Sequence, residues 1–131
     1  MAGQGGDGPR GTIRVRQAKR VAAGGNKPKQ ISEQVGRVAS GDAALSVAVM
    51  RSPAGWVEPA QTSEFDEYTV VLRGELHVLG GGATMVVRTG EAVHVPRGMR
   101  VRYATPGPDG AEYVAVCLPA FSPDLVHRDL P

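Results

Sequence analysis

Cysteine, histidine and aromatic residues are all scarce in this chain. One cysteine in 131 residues, Cys117, excludes an intrachain disulfide framework. It lies in the apolar run YVAVCL, where a small buried hydrophobe is expected rather than a nucleophile. Aromatic residues make up only 5% of the chain, so the core must be built from Val, Ala and Leu. No stretch is long and apolar enough to cross a bilayer as a helix. Met1 to Arg10 contain no apolar segment of the secretory kind, and a cytoplasmic location is expected. Neither a helix of ordinary length nor an internal repeat can be traced.

Turn formers are plentiful. Eighteen glycines and ten prolines cut the chain into short apolar runs. TIRVRQ, ALSVAVMRS, EYTVVLRG, ELHVLG, ATMVVRT, EAVHVP, MRVRYAT and AEYVAVCL each read as a strand, ISEQVGRV fits a strand better than the one helical turn it also allows, and AAGGNKPKQ reads as a loop. Many short strands between turns predict an all-β sandwich or barrel. Residues 1–11 are Gly-rich and polar and are expected to form a flexible arm, with one domain over 12–131 and a short C-terminal tail from about 119. Several strands are apolar on both faces. Their outer faces need cover, and a homodimer is expected in which residues 12–22 or 44–51 cross onto the partner sheet.

Charge is unevenly spread. Residues 1–30 hold seven cations against one acid, and the remainder hold eight cations against twelve acids. A basic arm suggests nucleic acid, but this one has no aromatic residue to stack a base, and its cations are dispersed. A solvated arm is expected instead.

Residues 55–105 carry two spaced motifs. Gly55 is followed at fixed intervals by Gln61, Ser63, Glu67 and Gly74; Gly90 is followed by Pro96, Gly98, Val101 and Thr105. This spacing resembles the two-motif signature of cupins, and the stretch from FDEYTVVLRGELHV onward is similar to the ethanolamine-utilisation type. The resemblance implies a double-stranded β-helix, or jelly-roll barrel, with an internal site. In metal-binding cupins that site is three histidines and a glutamate. The matching positions here are Gln61, Ser63, Glu67 and Val101, and only Glu67 is a strong ligand. No cofactor is therefore expected. A divalent metal is the disfavoured alternative, with Glu67, Gln61 and His94 as its weak candidate ligands.

Three residues are candidates for catalysis. Glu67 would point into an apolar cavity, where desolvation favours its acid form and suits it to proton transfer near neutral pH. Gln61 and Tyr103 would supply hydrogen bonds. Trp56, Ser63, Phe65, Val101, His94 and Phe121 are candidates for contact with a small-molecule ligand. Strand parity predicts Val101 and Tyr103 inward, with Arg100 and Arg102 outward. Asp66 is expected to cap or to pair with an arginine, His77 to lie at the surface, and the tail to cross the barrel mouth. The expected function is an isomerase, cyclase, dehydratase or lyase working by proton transfer. The alternatives are a non-catalytic ligand-binding or accessory cupin and a metallocupin with an atypical ligand set.

Overall fold

Short apolar runs between turn formers become strands almost everywhere they occur. The computed structural model describes residues 11–130, and the segment 1–10, most of the expected arm, lies outside the described residues. In chain order the strands are β1 Lys19–Val21, β2 Gln30–Val35, β3 Ser46–Ser52, β4 Trp56–Val57, β5 Gln61–Thr62, β6 Asp66–Gly80, β7 Ala83–Arg88, β8 Ala92–Val95, β9 Arg100–Thr105 and β10 Ala111–Leu118. One short helix follows, α1 Pro123–Val126. The sheet order is β1-β2-β3-β10-β6-β9-β4, with β5 on β9 and both β7 and β8 on β6. Every pairing is antiparallel. The result is the all-β jelly roll that the resemblance to cupins implies.

β6 is the pivot of this arrangement. EYTVVLRG and ELHVLG, expected as two strands, form one strand of 15 residues. Its first half pairs with β10 and β8, and its second with β7 and β9. Gly74 does adopt a positive φ of 74°, but it marks a corner within the strand rather than a turn between two strands. The ladder to β10 shifts register beside it, between Glu112 and Tyr113. A Cβ at Gly74 would lie 2.1 Å from the Gly110 carbonyl oxygen, so no larger residue fits.

The expected strand TIRVRQ is absent; pairing begins only at Lys19. Ile13 and Val15 are 94% exposed, so the alternation there has no surface of its own chain to bury against. The idea that 44–51 crosses to a partner is also corrected. β3 is hydrogen-bonded along both edges within its own sheet, by β2 and by β10, and has no free edge to lend.

Two buried clusters fill the interior. The larger joins Trp56, Val71, Leu76, Val78, Val101 and Tyr103 with their neighbours. The smaller holds Phe65, Cys117 and Val126, with Phe121 and Leu125 against it, and the Phe65 and Phe121 ring centroids are 5.9 Å apart. Full burial of each large side chain contributes roughly 1.5–3 kcal/mol.

Candidate active site

The first half of β6 turns Glu67, Thr69 and Val71 toward the interior. Glu67 and Thr69 line a cavity that also receives Gln61, Phe65, Tyr103, Tyr113 and Phe121. Its free volume is about 50 Å³, room for a few water molecules. The Tyr103 hydroxyl donates to Glu67 Oε1 at 3.2 Å, and Gln61 Nε2 approaches the same oxygen at 3.5 Å. The three residues proposed from sequence as catalytic therefore meet at one carboxylate. Tyr103 gets there by the predicted parity: Val101 and Tyr103 are buried, Arg100 and Arg102 exposed.

Burial pushes the Glu67 carboxyl up to about 7, and the negative charge of Glu58 adds to the rise. Lys29, the Tyr103 hydrogen bond and Arg128 oppose it. Glu58 is itself raised, mainly by burial, against the pull of Lys29 and Arg128. Tyr103 is raised by burial and then by Glu67, so it stays a neutral donor.

Three charged members of this group were not singled out as site residues from sequence. In the sequence Lys29 belongs to the basic stretch 1–30, Glu58 falls between Gly55 and Gln61 of the first motif, and Arg128 lies in the tail. Each is placed by specific contacts. Asn26 pins the segment before Lys29: its amide donates to the Val57 carbonyl at 3.0 Å, and its Oδ1 accepts from the Val57 amide at 2.8 Å. Gly24 accepts from Trp56 Nε1 at 2.9 Å, and a Cβ at Gly25 would lie 2.2 Å from that nitrogen. Lys29 Nζ then lies 4.0 Å from the centroid of the Trp56 ring. Glu58 is only 4% exposed. It faces Arg128 at 3.7 Å, and Arg128 Nε is buried with no hydrogen-bond partner among the described residues.

Arg128 arrives on the tail, which lies along β5 and lends Phe121 and Arg128 to the cavity lining. Backbone bonds run from Thr62 to His127, from Glu64 to Leu125 and from Asp129 to Ala60. Ser122 caps α1, and His127 in a left-handed conformation ends it. One signal was available for Lys29. Ile31 points inward, and period two carries Lys29 and Glu33 to the same face.

Other candidates are redistributed. Phe65 and Phe121 line the cavity as proposed. Trp56 does not; it is wholly buried in the core beneath Lys29. Ser63 is buried, but its hydroxyl donates to the Phe65 carbonyl oxygen at 3.0 Å, bracing the turn. Val101 is core. His94 is corrected: β8 pairs Val95 with Glu67 and His94 with Tyr68, so His94 lies outside, stacked on the Tyr68 ring at 4.3 Å. His127 is exposed and paired with Glu64, and His77 is hydrogen-bonded to Glu75 at the surface of β6. Asp66 pairs with Arg97, as expected.

The donor set does not suit a transition metal. Of the four positions, Val101 has no donor atom, the Ser63 hydroxyl is engaged, and Gln61 turns its amide nitrogen toward Glu67. Among the described residues no three His, Cys, Asp or Glu side chains converge as a metal site.

The cupin-domain family profile matches residues 48–117, and the chain belongs to that family. Within it, this is a small cupin resembling the ethanolamine-utilisation type: 54 residues are 39% identical to acetate kinase EutQ of Salmonella typhimurium, covering 41% of this chain and 24% of that protein. A longer match, 41% identity over 119 residues, is to endoribonuclease YbeY of Myxococcus xanthus. It takes in 91% of this chain but only 40% of that relative's length. Among solved structures, the polyketide cyclase RemF of Streptomyces resistomycificus superimposes with a TM-score of 0.72 at 20% identity, over 92% of this chain and 87% of that one. No helix among the described residues is long and apolar enough to cross a membrane.

Proposed function

We propose that this cupin is a small-molecule enzyme of the isomerase, cyclase, dehydratase or lyase kind, with Glu67 as its general acid and base. The observation that carries the reading is the Glu67 carboxyl itself. It faces a buried cavity shared with Lys29, Glu58 and Arg128, accepts a hydrogen bond from Tyr103, and is pushed by burial up to about 7, close to neutral pH, as suits a group that both gives and takes a proton. Tyr103 and Gln61 orient it. Glu67→Gln keeps the shape and removes the proton, so kcat should fall roughly 10²–10⁴-fold once a substrate is found. Unchanged kcat would end the acid–base role. Unchanged ligand affinity without any turnover by the parent protein would leave a binding module in its place.

The name of the Myxococcus relative supplies a second reading, cleavage of RNA. Cutting of single-stranded RNA by the purified chain, lost in Glu67→Gln, would put that reading first.

The same proposal includes a homodimer. The outer face of the sheet carries Val47, Val49, Val114 and Val116 beside the more exposed Tyr68, Val70 and Leu72. A second copy would cover this face, and residues 12–22 would add Ile13 and Val15 to the contact. A monomer in sedimentation equilibrium at micromolar concentration would overturn it.

A further inference from the structure

Lys29 has the surroundings of a reactive amine rather than of an ion-pair partner. It stands immediately before β2, in line with the inward-facing Ile31 and Glu33, and lines the same cavity as Glu67. Its nitrogen lies over the Trp56 ring and 5.2 Å from the centroid of Tyr113. Among the described residues it makes no hydrogen bond, and no carboxylate lies within ion-pair reach of it. The charged groups facing it are Glu58, Glu67 and Arg128, all acting at a distance. A lysine kept only for charge balance would be expected to close on Glu58, but Arg128 is the cation at that carboxylate.

We propose that Lys29 is a covalent catalytic residue whose Nζ forms a Schiff base with a small aldehyde or ketone held in the cavity. The inference rests on the proton-transfer reading of Glu67 for its acid, and it narrows the substrate to carbonyl compounds. The amine lone pair attacks the carbonyl carbon, and the C=O π pair moves to oxygen, which takes the Glu67 proton. The nitrogen then returns one proton to the Glu67 carboxylate, giving a neutral carbinolamine. Glu67 protonates the hydroxyl, which leaves as water while the nitrogen lone pair forms the C=N bond. The products are an iminium cation, a carboxylate at Glu67 and water; nothing is oxidised or reduced. The iminium acidifies the neighbouring C–H bond, and the Glu67 carboxylate is then the base available to take that proton.

Protonation supports the chemistry. Burial lowers the Lys29 amine from its ordinary 10.5 to about 8, against the opposing pull of Glu58 and Glu67. About a tenth of it is then neutral at pH 7, compared with a few parts in ten thousand for an ordinary lysine. Only the neutral amine carries the lone pair.

The test uses acetaldehyde and acetone as probes, with sodium cyanoborohydride to trap the imine and peptide mass mapping to locate it. Lys29 should be alkylated at least about tenfold faster than exposed Lys27 at pH 7.5, with a rate that levels off above about pH 8. Lys29→Arg should remove the fast site while keeping the near-ultraviolet circular dichroism of the parent. Labelling of Lys29 no faster than Lys27 overturns the proposal, whatever Glu67 does. Fast labelling of Lys29 that is equally fast in Glu67→Gln upholds the amine and removes Glu67 as its acid, so the two readings fail separately.

Discussion

The first half of β6 presents two faces of opposite character. Inward it places Glu67 and Thr69 against a cavity that also takes Glu33, Glu58, Lys29 and Arg128. Outward it places Tyr68, Val70 and Leu72, of which Val70 is 41% and Leu72 48% exposed. The usual arrangement of apolar inside and polar outside is locally reversed. The inner face departs from it by placing the Glu67 carboxyl where burial pushes it up to about 7. The outer face departs from it in the manner of a surface that meets another protein.

Four measurements would break or sharpen this contrast. The largest effect should come from the floor under the inner face. Trp56→Ala removes a fully buried indole, the support for Lys29 and the donor to Gly24, and should cost about 3–5 kcal/mol of stability, read as a lower denaturation midpoint. A loss below about 1 kcal/mol would show that the Lys29 platform is not built on Trp56.

The pH dependence of stability should be next, on the order of 1–3 kcal/mol. Glu67 binds its proton more tightly folded than unfolded, so its contribution is full below its ordinary 4.5 and fades as pH rises to about 7. Lys29 is the reverse: its folded value of about 8 lies below 10.5, so folding suffers below 8 and recovers as pH rises toward 10.5. Urea midpoints should therefore pass through a minimum between about 7 and 8. Glu58→Gln removes a charge that raises Glu67, so the Glu67 titration followed by NMR should move below 7. Stability that rises steadily from pH 4.5 to 7 would contradict the buried acid.

The smallest effect on the isolated fold belongs to the outer face. Val70→Asp should change unfolding stability of the monomer by less than about 0.5 kcal/mol, yet shift a dimer toward monomer in sedimentation. A large loss of stability at matched monomer concentration would mean that Val70 is core after all.

The parts of this design legible in the sequence were those held by local spacing. Gly55, Gly74, Gly90, Pro96 and Gly98 fixed the motif register, and that register carried Glu67 inward and Val101 with Tyr103 beside it. The sequence does not orient His94, because parity does not survive the Pro96–Gly98 turn, and its outward position follows only from the pairing of β8 with β6. Lys29, Glu58 and Arg128 were not legible as a group. They come from the lead into β2, the loop after β4 and the tail, and nothing in their separate neighbourhoods says that sheet order and the backbone bonds of the tail will bring them to one cavity.

The tail along β5 has a consequence for the order of events during folding. The β6–β7 hairpin needs only a two-residue link at Gly81 and Gly82 and closes quickly, since little chain entropy is lost in joining near neighbours. The contacts that bring Lys29 to β4 and Arg128 to Glu58 join segments far apart in sequence, and the Arg128 contact waits for the tail to lay itself along β5. If the tail docks last, the far-ultraviolet circular dichroism of a refolding chain should recover before the site does, and one shared rate for the two would show that the tail closes together with the barrel.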